Sequence, residues 1–428
     1  MPSLTFVHTA DLHLDSPFKG VTAENAPHVS ERLRRATFEV FEEIVALCIR
    51  ERADFLLVAG DVYDGADRSL YAQMRFRDGL ARLAEHGIHA FVVHGNHDPL
   101  SGWASHIEWP STVTVFGNTV ETVPFQRDGQ TVAEITGVSY REANEGRNLA
   151  RLFTRNAGDG ASLRPSIGTA PFRVGLLHCN VGSDTGHAAY APCELSDLIN
   201  ADIDYWALGH VHRNGVLATT PTVVYPGNPQ GRSIRETGPR GCYVVRVDDA
   251  GHVTPRFHPV DAVRWTVVDI AIDDLDGMGA LDTRTFARLD EALTRAEGRA
   301  VVCRLRFTGR GSLARELRRN DAVADIVSRC RERCSRRDPF LWVEKVEIDC
   351  RDDIDRTAAL ARPDLVGAVL RLAQTYREGD LAPLDSPLAE LYENKKFKRY
   401  LSRPDPAELQ QRIDEAALLC ADLLEGSP

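Results

Sequence analysis

The chain has 428 residues, of which 43% are hydrophobic and 26% are charged, a composition typical of a folded globular protein rather than a disordered one. Because single hydrophobic cores rarely grow beyond ~300 residues, this length predicts more than one domain. The formal net charge of -11 argues against an overall attraction to nucleic acid or to an anionic membrane, although it says little about any one groove.

The sequence gives no sign of a membrane anchor or of a secretory signal. No stretch approaches the ~18 consecutive apolar residues that cross a bilayer. The first residues also lack a basic region followed by a long apolar one. We therefore expect a cytoplasmic protein with no membrane partner. The nine cysteines are spread without paired spacing, which predicts reduced thiols rather than disulfides or a zinc finger.

Short apolar strands alternate with helical stretches in the first part of the chain, which predicts a layered α/β domain. A helix is predicted over residues 30–52, with Ser30 as its N-cap, because apolar residues recur there at helical spacing. The buried strands are predicted at 4–9, 55–59, 88–94, 173–178 and 205–208.

A second sheet is predicted from segments that carry β-branched and aromatic residues, at 113–116, 131–140 and 242–247. Residues 155–171 are rich in Gly, Ser, Ala and Pro, which is typical of a surface loop.

The strand pattern changes near residues 258–264, where we predict a domain boundary. A small α/β domain is expected next, with strands at 265–272, 300–307 and 341–350 and helices at 283–297 and 313–333. The remainder reads as helical segments separated by prolines. The predicted domains are therefore residues 1–260, 264–352 and 356–428.

Polar motifs follow the predicted strands of the first domain. Loops at the carboxyl ends of strands are where α/β folds place their functional sites. In the first and last motifs two donors stand two positions apart, a spacing that points both to one face of extended backbone. The motifs are Asp11-Leu-His13, Gly60-Asp61, Gly95-Asn96-His97-Asp98 and Gly209-His210-Val-His212, with His178 ending a further strand.

These motifs together predict a metal centre, although each alone is a weak signal. Outside His97 the set offers carboxylates, an amide oxygen and imidazoles, a mixture that suits divalent Mn, Fe or Zn. So many donors exceed the needs of one ion and fit two ions that share a carboxylate. Asp61 is the natural bridge because a carboxylate has two oxygens. Two ions ~3.5 to 4 Å apart provide the arrangement for in-line hydrolysis of a phosphate ester.

The same motifs resemble those of the calcineurin-like metallophosphoesterase superfamily, over about the first 250 residues. The opening 8–15, the phrase 59–64 and the segment 225–232 are similar to its DNA repair exonuclease branch, which contains SbcD-like and YhaO-like nuclease subunits. The fold that this resemblance implies is α/β, a two-sheet αββα sandwich flanked by helices. A smaller α/β capping domain and a helical C-terminal region would follow it.

The resemblance also implies roles for individual residues. One ion would be held by Asp11, His13, Asp61 and His212, and the other by Asp61, Asn96, His178 and His210, with Mn²⁺ as the usual metal. His97 would be the catalytic histidine and not a ligand. On chemical grounds it would either donate a proton to the leaving oxygen or stabilise charge there, with Asp98 orienting its imidazole. Some nucleases of this branch have a histidine where Asp64 stands. The mode and direction of cutting are therefore not transferred, and Asp64 is either a turn residue or a substrate contact.

The branch implies DNA as substrate and an SMC-like ATPase as partner, docked through C-terminal helices. Homodimers occur in the branch, and the sequence gives no separate sign of one. Residues 310–337 contain nine arginines and four acidic residues, so they form either a patch that tracks a DNA backbone or a solvated helix face. Apolar residues at helical spacing suit either partner docking or internal packing. They are Leu365, Val369, Leu372, Leu388, Leu391, Tyr392, Leu409, Ile413, Ala416 and Ala417.

The leading hypothesis is a two-metal DNA nuclease, exo or endo, that acts in DNA repair. A phosphodiesterase or phosphatase of a small or protein phosphoester would use the same metal site, and the acidic net charge favours it. A third alternative is a non-catalytic adaptor of a repair ATPase. The intact donor set argues against an adaptor, because a protein that only binds needs neither His97 nor so many ligands.

Overall fold

The structure is a computed structural model. It describes residues 2–18, 27–65, 69–102, 107–153, 171–183, 188–319, 321–378, 392 and 404–424. The chain forms two compact units. The first comprises Met1–Asp269, Arg284–Arg306 and Ala324–Glu347, and the second comprises Ile270–Thr283, Phe307–Val323 and Ile348–Pro428.

The elements alternate in the order expected of a layered α/β protein. Up to residue 209 they are β1 Leu4–Thr9, α1 Pro27–Arg50, β2 Phe55–Ala59, α2 Leu70–Glu85, β3 His89–Val93, β4 Val113–Val115, β5 Glu121–Arg127, β6 Gln130–Val138, a 3₁₀ turn at Leu149–Leu152, β7 Phe172–His178, α3 Leu195–Ile199 and β8 Tyr205–Gly209. The rest are β9 Gly215–Thr219, β10 Thr222–Tyr225, β11 Gly241–Val247, β12 Val253–Pro259, β13 Val263–Ala271, α4 Met278–Arg295, β14 Ala300–Arg310, α5 Leu313–Leu317, α6 Ala322–Cys334, β15 Leu341–Arg351, α7 Arg356–Leu360, α8 Leu365–Glu378 and α9 Pro406–Leu424.

Two six-stranded sheets form the centre of the first unit. The first has the order β12-β11-β1-β2-β3-β4, with β1 to β4 parallel and β11 antiparallel to β1. The second has the order β5-β6-β7-β8-β10-β9, with β6, β7, β8 and β10 parallel. Parallel strands need crossover connections and place their carboxyl ends at one edge of a sheet.

Side-chain alternation along the strands builds three apolar layers in this unit. Phe6 and Leu57 of the first sheet meet Leu176 and Tyr205 of the second in a buried core between the sheets. The opposite face of the first sheet packs against α1 and α2, and that of the second packs against the 3₁₀ turn and α3. This arrangement confirms the predicted two-sheet sandwich flanked by helices.

The later strands β13, β14 and β15 form a three-stranded sheet in that order. In the second unit, α8 and α9 pack through Val366, Leu370, Ala417 and Ala421. The predicted helix over 313–333 is two helices in the structure, α5 and α6. The domain boundaries predicted at 260–264 and 352–356 stay a prediction.

Three expectations from the sequence need correction or lie beyond the described residues. Ser30 is not an N-cap, because α1 already includes Pro27, whose missing N–H and fixed φ suit a first helical turn. The segments at 113–116 and 242–247 belong to the first sheet, not the second, because β4 pairs with β3 and β11 pairs with β1. Of the predicted loop 155–171, only residue 171 is described.

None of the helices in the described part of the chain combines the length and the apolar character that a membrane span requires.

Candidate metal centre

The predicted site residues converge at the carboxyl ends of parallel strands from both sheets. Asp11 and His13 follow β1, Asp61 follows β2, and Asn96 follows β3. His178 is the last residue of β7, while His210 and His212 follow β8. The two sheets face each other, so these strand ends bring side chains distant in sequence into one site.

The backbone at four predicted ligands lies in the left-handed region that non-glycine residues rarely adopt. The φ angles are 52° at Asp11, 44° at His13, 49° at Asp61 and 100° at His210. Such conformations cost on the order of 1 to 3 kcal/mol each and cluster at functional sites. The backbone of the turns after β1, β2 and β8 is therefore strained, and this strain places the side chains of the predicted ligands in the site.

One group of donors is formed by Asp11, His13 and His212. The Nε2 atoms of the two histidines lie 3.3 Å apart, and Nε2 of His212 lies 3.9 Å from Oδ1 of Asp11. The three ligand atoms are all within 4.8 Å of one another. Two imidazole nitrogens and a carboxylate oxygen facing one point form a typical site for a divalent ion.

A second group is formed by Asp11, Asp61 and His178, again within 4.8 Å of one another. Nε2 of His178 lies 3.4 Å from Oδ2 of Asp61 and 3.1 Å from Oδ1 of Asn96. Asp11 belongs to both groups, so the geometry offers it, beside Asp61, as the shared carboxylate. The sequence indicated Asp61 alone for that role.

Hydrogen bonds to one ring nitrogen orient His178 and His210. Nδ1 of His178 donates to the carbonyl of Ala59 at 2.9 Å, so its Nε2 faces Asp61. Nε2 of His210 donates to the carbonyl of Ala188 at 2.8 Å, so a ligand role for His210 falls to Nδ1. Fixing one ring nitrogen in this way is how proteins select the tautomer that binds a metal.

Divalent cations fit these donors. His13 Nδ1 is buried and, among the described residues, has no hydrogen-bond partner, although it lies 3.1 Å from Asp64. Two buried carboxylates and facing imidazoles are costly to leave without compensating positive charge. The donor set therefore suits ions that accept mixed oxygen and nitrogen ligands.

Burial and mutual charge set the protonation of these groups. Burial disfavours the Asp61 carboxylate, but the charge of His178 outweighs burial and holds the pKa of Asp61 below its usual range. Burial opposes protonation of His178 too, and the charge of Asp61 raises its pKa to about 9. Burial raises the pKa of Asp11 and lowers that of His13 to about 4. A protonated His178 supplies the positive charge that a bound cation would supply.

Close backbone approach in the site depends on two glycines. A Cβ at Gly95 would lie 2.4 Å from Oδ1 of Asp61, and one at Gly209 would lie 1.8 Å from the carbonyl oxygen of Ala59. Each contact is shorter than real Cβ atoms tolerate. Gly95 therefore leaves space for the Asp61 side chain, and Gly209 leaves space for the backbone of β2 and for the His178 ring.

Comparison with known proteins places the chain in a family. The family of calcineurin-like phosphoesterases matches residues 4–214, and the middle domain of metallophosphoesterase YhaO matches residues 265–351. The Bacillus subtilis (strain 168) protein named uncharacterized metallophosphoesterase YhaO is 32% identical over 424 residues, which cover 98% of this chain and 97% of that protein. The chain belongs to the calcineurin-like metallophosphoesterases, in the YhaO family.

Two nuclease relatives of this metallophosphoesterase share less of its sequence. The SbcD subunit of nuclease SbcCD from Bacillus subtilis is 25% identical over 263 residues, covering 55% of this chain and 64% of that protein. DNA double-strand break repair protein Mre11 of Aeropyrum pernix is 26% identical over 285 residues, covering 63% of this chain and 64% of that protein. Calcineurin-like metallophosphoesterases bind divalent metals and hydrolyse phosphoesters, in agreement with the donor groups.

Asp64 lies beside the two donor groups and contacts several polar side chains. Its Oδ1 lies 3.1 Å from Nδ1 of both His13 and His97, and its Oδ2 accepts a hydrogen bond from Ser16 at 2.8 Å. Arg232 lies 3.2 Å from Asp64 and donates to the Ser16 hydroxyl at 2.7 Å. Although burial opposes it, the two histidines beside Asp64 hold its pKa far below its usual range. Asp64 is therefore an anchor for the site rather than a simple turn residue.

The contacts described for Asp98 link two loops of the site. Asp64 faces Nδ1 of His97 at 3.1 Å, and the role of Asp98 in orienting that ring stays a prediction. Asp98 is buried and accepts hydrogen bonds from the backbone N–H of Val62 at 2.8 Å and of Gly95 at 2.7 Å, and from Nδ1 of His94 at 2.9 Å. Asp98 thus joins the loop after β2 to the loop after β3.

One residue that contacts a predicted ligand carries no signal in the sequence. Glu236 accepts a hydrogen bond from Nδ1 of His212 at 2.6 Å, and it stands 24 positions further along the chain in an irregular loop. Burial disfavours its carboxylate, but His212 outweighs burial and lowers the pKa of Glu236 to about 2. A lone Glu in a loop has no periodicity or motif that would indicate this contact.

Proposed function

We propose that this metallophosphoesterase is a two-metal nuclease that hydrolyses phosphodiester bonds of DNA. The observation that carries the proposal is the meeting of two donor groups around the buried carboxylates Asp11 and Asp61, beside an oriented histidine. The relatives named as a subunit of nuclease SbcCD and as repair protein Mre11 support DNA as the substrate class.

The proposed ligands are those that the motifs indicated. Asp11, His13, Asp61 and His212 would hold one ion, and Asp61, Asn96, His178 and His210 the other. When bound, such ions polarise the phosphate and supply a nucleophile at neutral pH. Mn²⁺ is the proposed metal. The mixed carboxylate, amide and imidazole donors suit Mn, Fe or Zn, and the resemblance to the DNA repair exonuclease branch favours Mn²⁺ among them.

His97 is the proposed general acid. Its ring is 43% exposed at the site, and Nδ1 faces Asp64 at 3.1 Å, which directs Nε2 away from that carboxylate. The hydrogen bond to Asp64 raises the pKa of His97, which favours the imidazolium more than in an ordinary histidine. Nε2–H would then donate the proton to the leaving oxygen, a role typically worth ~10² to 10⁴ in rate.

The arginine-rich segment 310–337 gives little support to a separate DNA-binding patch. Arg310 is paired with Asp422, Arg318 with Asp352, and Arg337 with Asp290. Arg331 stacks on Trp342 and donates to the carbonyls of Val343 and Glu344. Much of the local positive charge is therefore committed within the protein, and the DNA proposal depends on the metal centre.

An SMC-like ATPase is the proposed partner, with the C-terminal helices as the docking region. Leu365 and Leu372 of α8 are exposed, whereas Ala417 of α9 is buried, so only some of the predicted docking positions face solvent. Leu388 and Leu391 lie outside the described residues. Equal retention of the ATPase by the full chain and by a chain ending at residue 355, in a pull-down, would remove this partner assignment.

The function is tested by incubating purified protein with a labelled DNA duplex and, separately, with bis-p-nitrophenyl phosphate. We expect that both substrates are cleaved in the presence of Mn²⁺ and that EDTA abolishes this cleavage. His97→Ala should slow DNA cleavage ~10² to 10⁴-fold and slow cleavage of bis-p-nitrophenyl phosphate much less, because p-nitrophenolate leaves without a proton. The variant should keep the metal, because the bond from residue 97 to Asp61, at 2.9 Å, comes from the backbone N–H. Cleavage of the small substrate alone would exclude the nuclease and favour a small-phosphoester enzyme, the alternative that the net charge of -11 supports.

A further inference from the structure

Glu236 lies behind His212, in the loop 226–240 between β10 and β11. One carboxylate oxygen, Oε1, accepts from Nδ1 of His212 at 2.6 Å, and the other, Oε2, accepts from the backbone N–H of Arg232 at 2.7 Å. The side chain is 15% exposed. Both oxygens of Glu236 therefore face a donor, and both donors are fixed in place.

The contact with Glu236 decides which nitrogen of His212 carries the proton. A neutral imidazole has one N–H and one lone pair, and the hydrogen-bond partner of one nitrogen selects the tautomer. With Nδ1–H donated to Glu236, the lone pair of Nε2 faces His13 Nε2 at 3.3 Å and Asp11 Oδ1 at 3.9 Å. Glu236 thus presents His212 in the only neutral form that can bind a cation between these groups.

The loop that carries Glu236 is anchored on both sides of it. The indole N–H of Trp265 donates to the carbonyl of Gly231 at 2.9 Å, and the backbone N–H of Gly238 donates to the carbonyl of Trp265 at 3.0 Å. Gln230 donates to the carbonyl of Val263 at 2.7 Å. Strand β13 therefore fixes the backbone on either side of Glu236. The fixed backbone holds the Glu236 carboxylate in its contact with His212.

We propose that Glu236 is a positioning residue of the metal centre, which holds His212 in the Nδ1–H tautomer and aims its Nε2 at the ion. The inference rests on the metal site of the proposed function. Partners of this kind typically account for ~10 to 100-fold in metal affinity.

The test compares Glu236→Gln with Glu236→Ala. An amide has one acceptor end for two donors, so the Gln carbonyl serves the Arg232 N–H and its NH₂ group faces Nδ1 of His212. That arrangement favours the Nε2–H tautomer, which cannot bind a cation through Nε2. We expect Mn²⁺ affinity, measured by titration of the full chain, to fall ~10 to 100-fold in both variants, with Gln at least as weak as Ala.

The matched control is Asp248→Asn. Asp248 makes the same kind of contact elsewhere, accepting from Nδ1 of His252 at 3.1 Å and from the backbone N–H of Ala250 at 2.9 Å in an exposed turn. Its loss should leave Mn²⁺ affinity unchanged. Imidazole ¹⁵N shifts of the metal-free proteins report the tautomer directly, and the His212 signal should change in the Glu236→Gln protein.

The outcomes separate the two levels of inference. Wild-type protein that takes up no Mn²⁺ would overturn the proposed function itself. Wild-type binding with unchanged affinity and tautomer in both Glu236 variants would overturn only the role of Glu236. If Glu236→Gln does not fold, Glu236→Ala gives the same affinity readout. An affinity loss without any tautomer change in the folded variants would also refute tautomer selection.

Discussion

At the scale of single residues, proton transfer in the proposed reaction depends on Asp64, a carboxylate whose role the sequence left open. Asp64 lies 3.1 Å from His97 and 3.1 Å from His13, and it is held in turn by Ser16. A carboxylate beside an imidazole fixes the ring and stabilises its charged form. Asp64, rather than Asp98, is therefore the residue that we expect to support proton transfer by His97.

Asp64→Asn tests this role. The change removes the negative charge beside His97 and replaces one acceptor oxygen with an NH₂ group. We expect turnover of a phenyl phosphodiester, whose leaving group needs a proton, to fall ~10²-fold, and that of a p-nitrophenyl diester to fall much less. Steady-state rates with both substrates give the comparison. An equal loss on the two substrates would assign Asp64 to the metal centre instead.

At the scale of elements, the ends of the strands determine the site. Gly209 closes β8 where its backbone passes against β2 and beside His178. A side chain at this point would force apart the strand ends that carry Asp61, His178 and His210. The close packing of β8 against β2 at Gly209 therefore also determines the positions of the predicted ligands.

Gly209→Ala should destabilise the fold and weaken metal binding together. The new Cβ would lie 1.8 Å from the carbonyl oxygen of Ala59 and 2.8 Å from Nδ1 of His178. Overpacking of this kind costs typically ~1 to 3 kcal/mol. Thermal unfolding and Mn²⁺ titration report the two effects. Gly215→Ala is the control, because no described atom lies within 4 Å of its added Cβ. Wild-type melting of the Gly209 variant would contradict the expected contact.

Local patterns predicted the central strands well. The strands at 4–9 and 55–59 agree with β1 and β2 at both ends, because buried parallel strands are continuous apolar runs between polar turns. The sheet to which β4 and β11 belong could not be predicted. The neighbours of a strand in a sheet lie far from it in the sequence, and its local sequence pattern is the same in either sheet.

The sequence predicted the motif residues of the candidate site but not the residues that orient them. Motif residues such as Asp61 and Asn96 follow apolar strands, so their position at strand ends is local information. The partners that orient them are not local. Glu236 reaches His212 and Arg232 reaches Asp64 only through the folded path of loop 226–240. Such contacts have no recognisable spacing in the sequence. For this reason, the sequence did not predict that Glu236 and Asp64 orient histidines of the site.

At the scale of the whole sandwich, a buried histidine joins the two sheets. His8 of β1 donates from Nε2 to the carbonyl of Leu208 at 3.2 Å, and its Nδ1 accepts from the hydroxyl of Tyr205 at 2.9 Å. The neutral ring satisfies both contacts across the interface. Burial lowers the pKa of His8 to about 3, against an ordinary value of 6.5.

Acid should therefore destabilise the sandwich through His8. Its folded pKa is depressed, so below pH ~6.5 the unfolded chain binds a proton that the folded one excludes. Stability is lost as pH falls from ~6.5 towards ~3, by at most about 1.4 kcal/mol per unit. His8→Gln should remove this slope in unfolding measured from pH 7 to pH 5 in EDTA. Parallel pH profiles for the two proteins would show that His8 does not titrate on unfolding.

In the proposed function, residues distant in the chain hold a pair of cations in one site, and metal stoichiometry tests this most directly. Purified protein is stripped with a chelator, equilibrated with Mn²⁺ and analysed for metal per folded chain. We predict two ions per chain, with the occupancy lost when Asp11 or Asp61 is changed to Ala. Folded protein that takes up no Mn²⁺, or the same amount with Asp11→Ala and Asp61→Ala, would contradict the account.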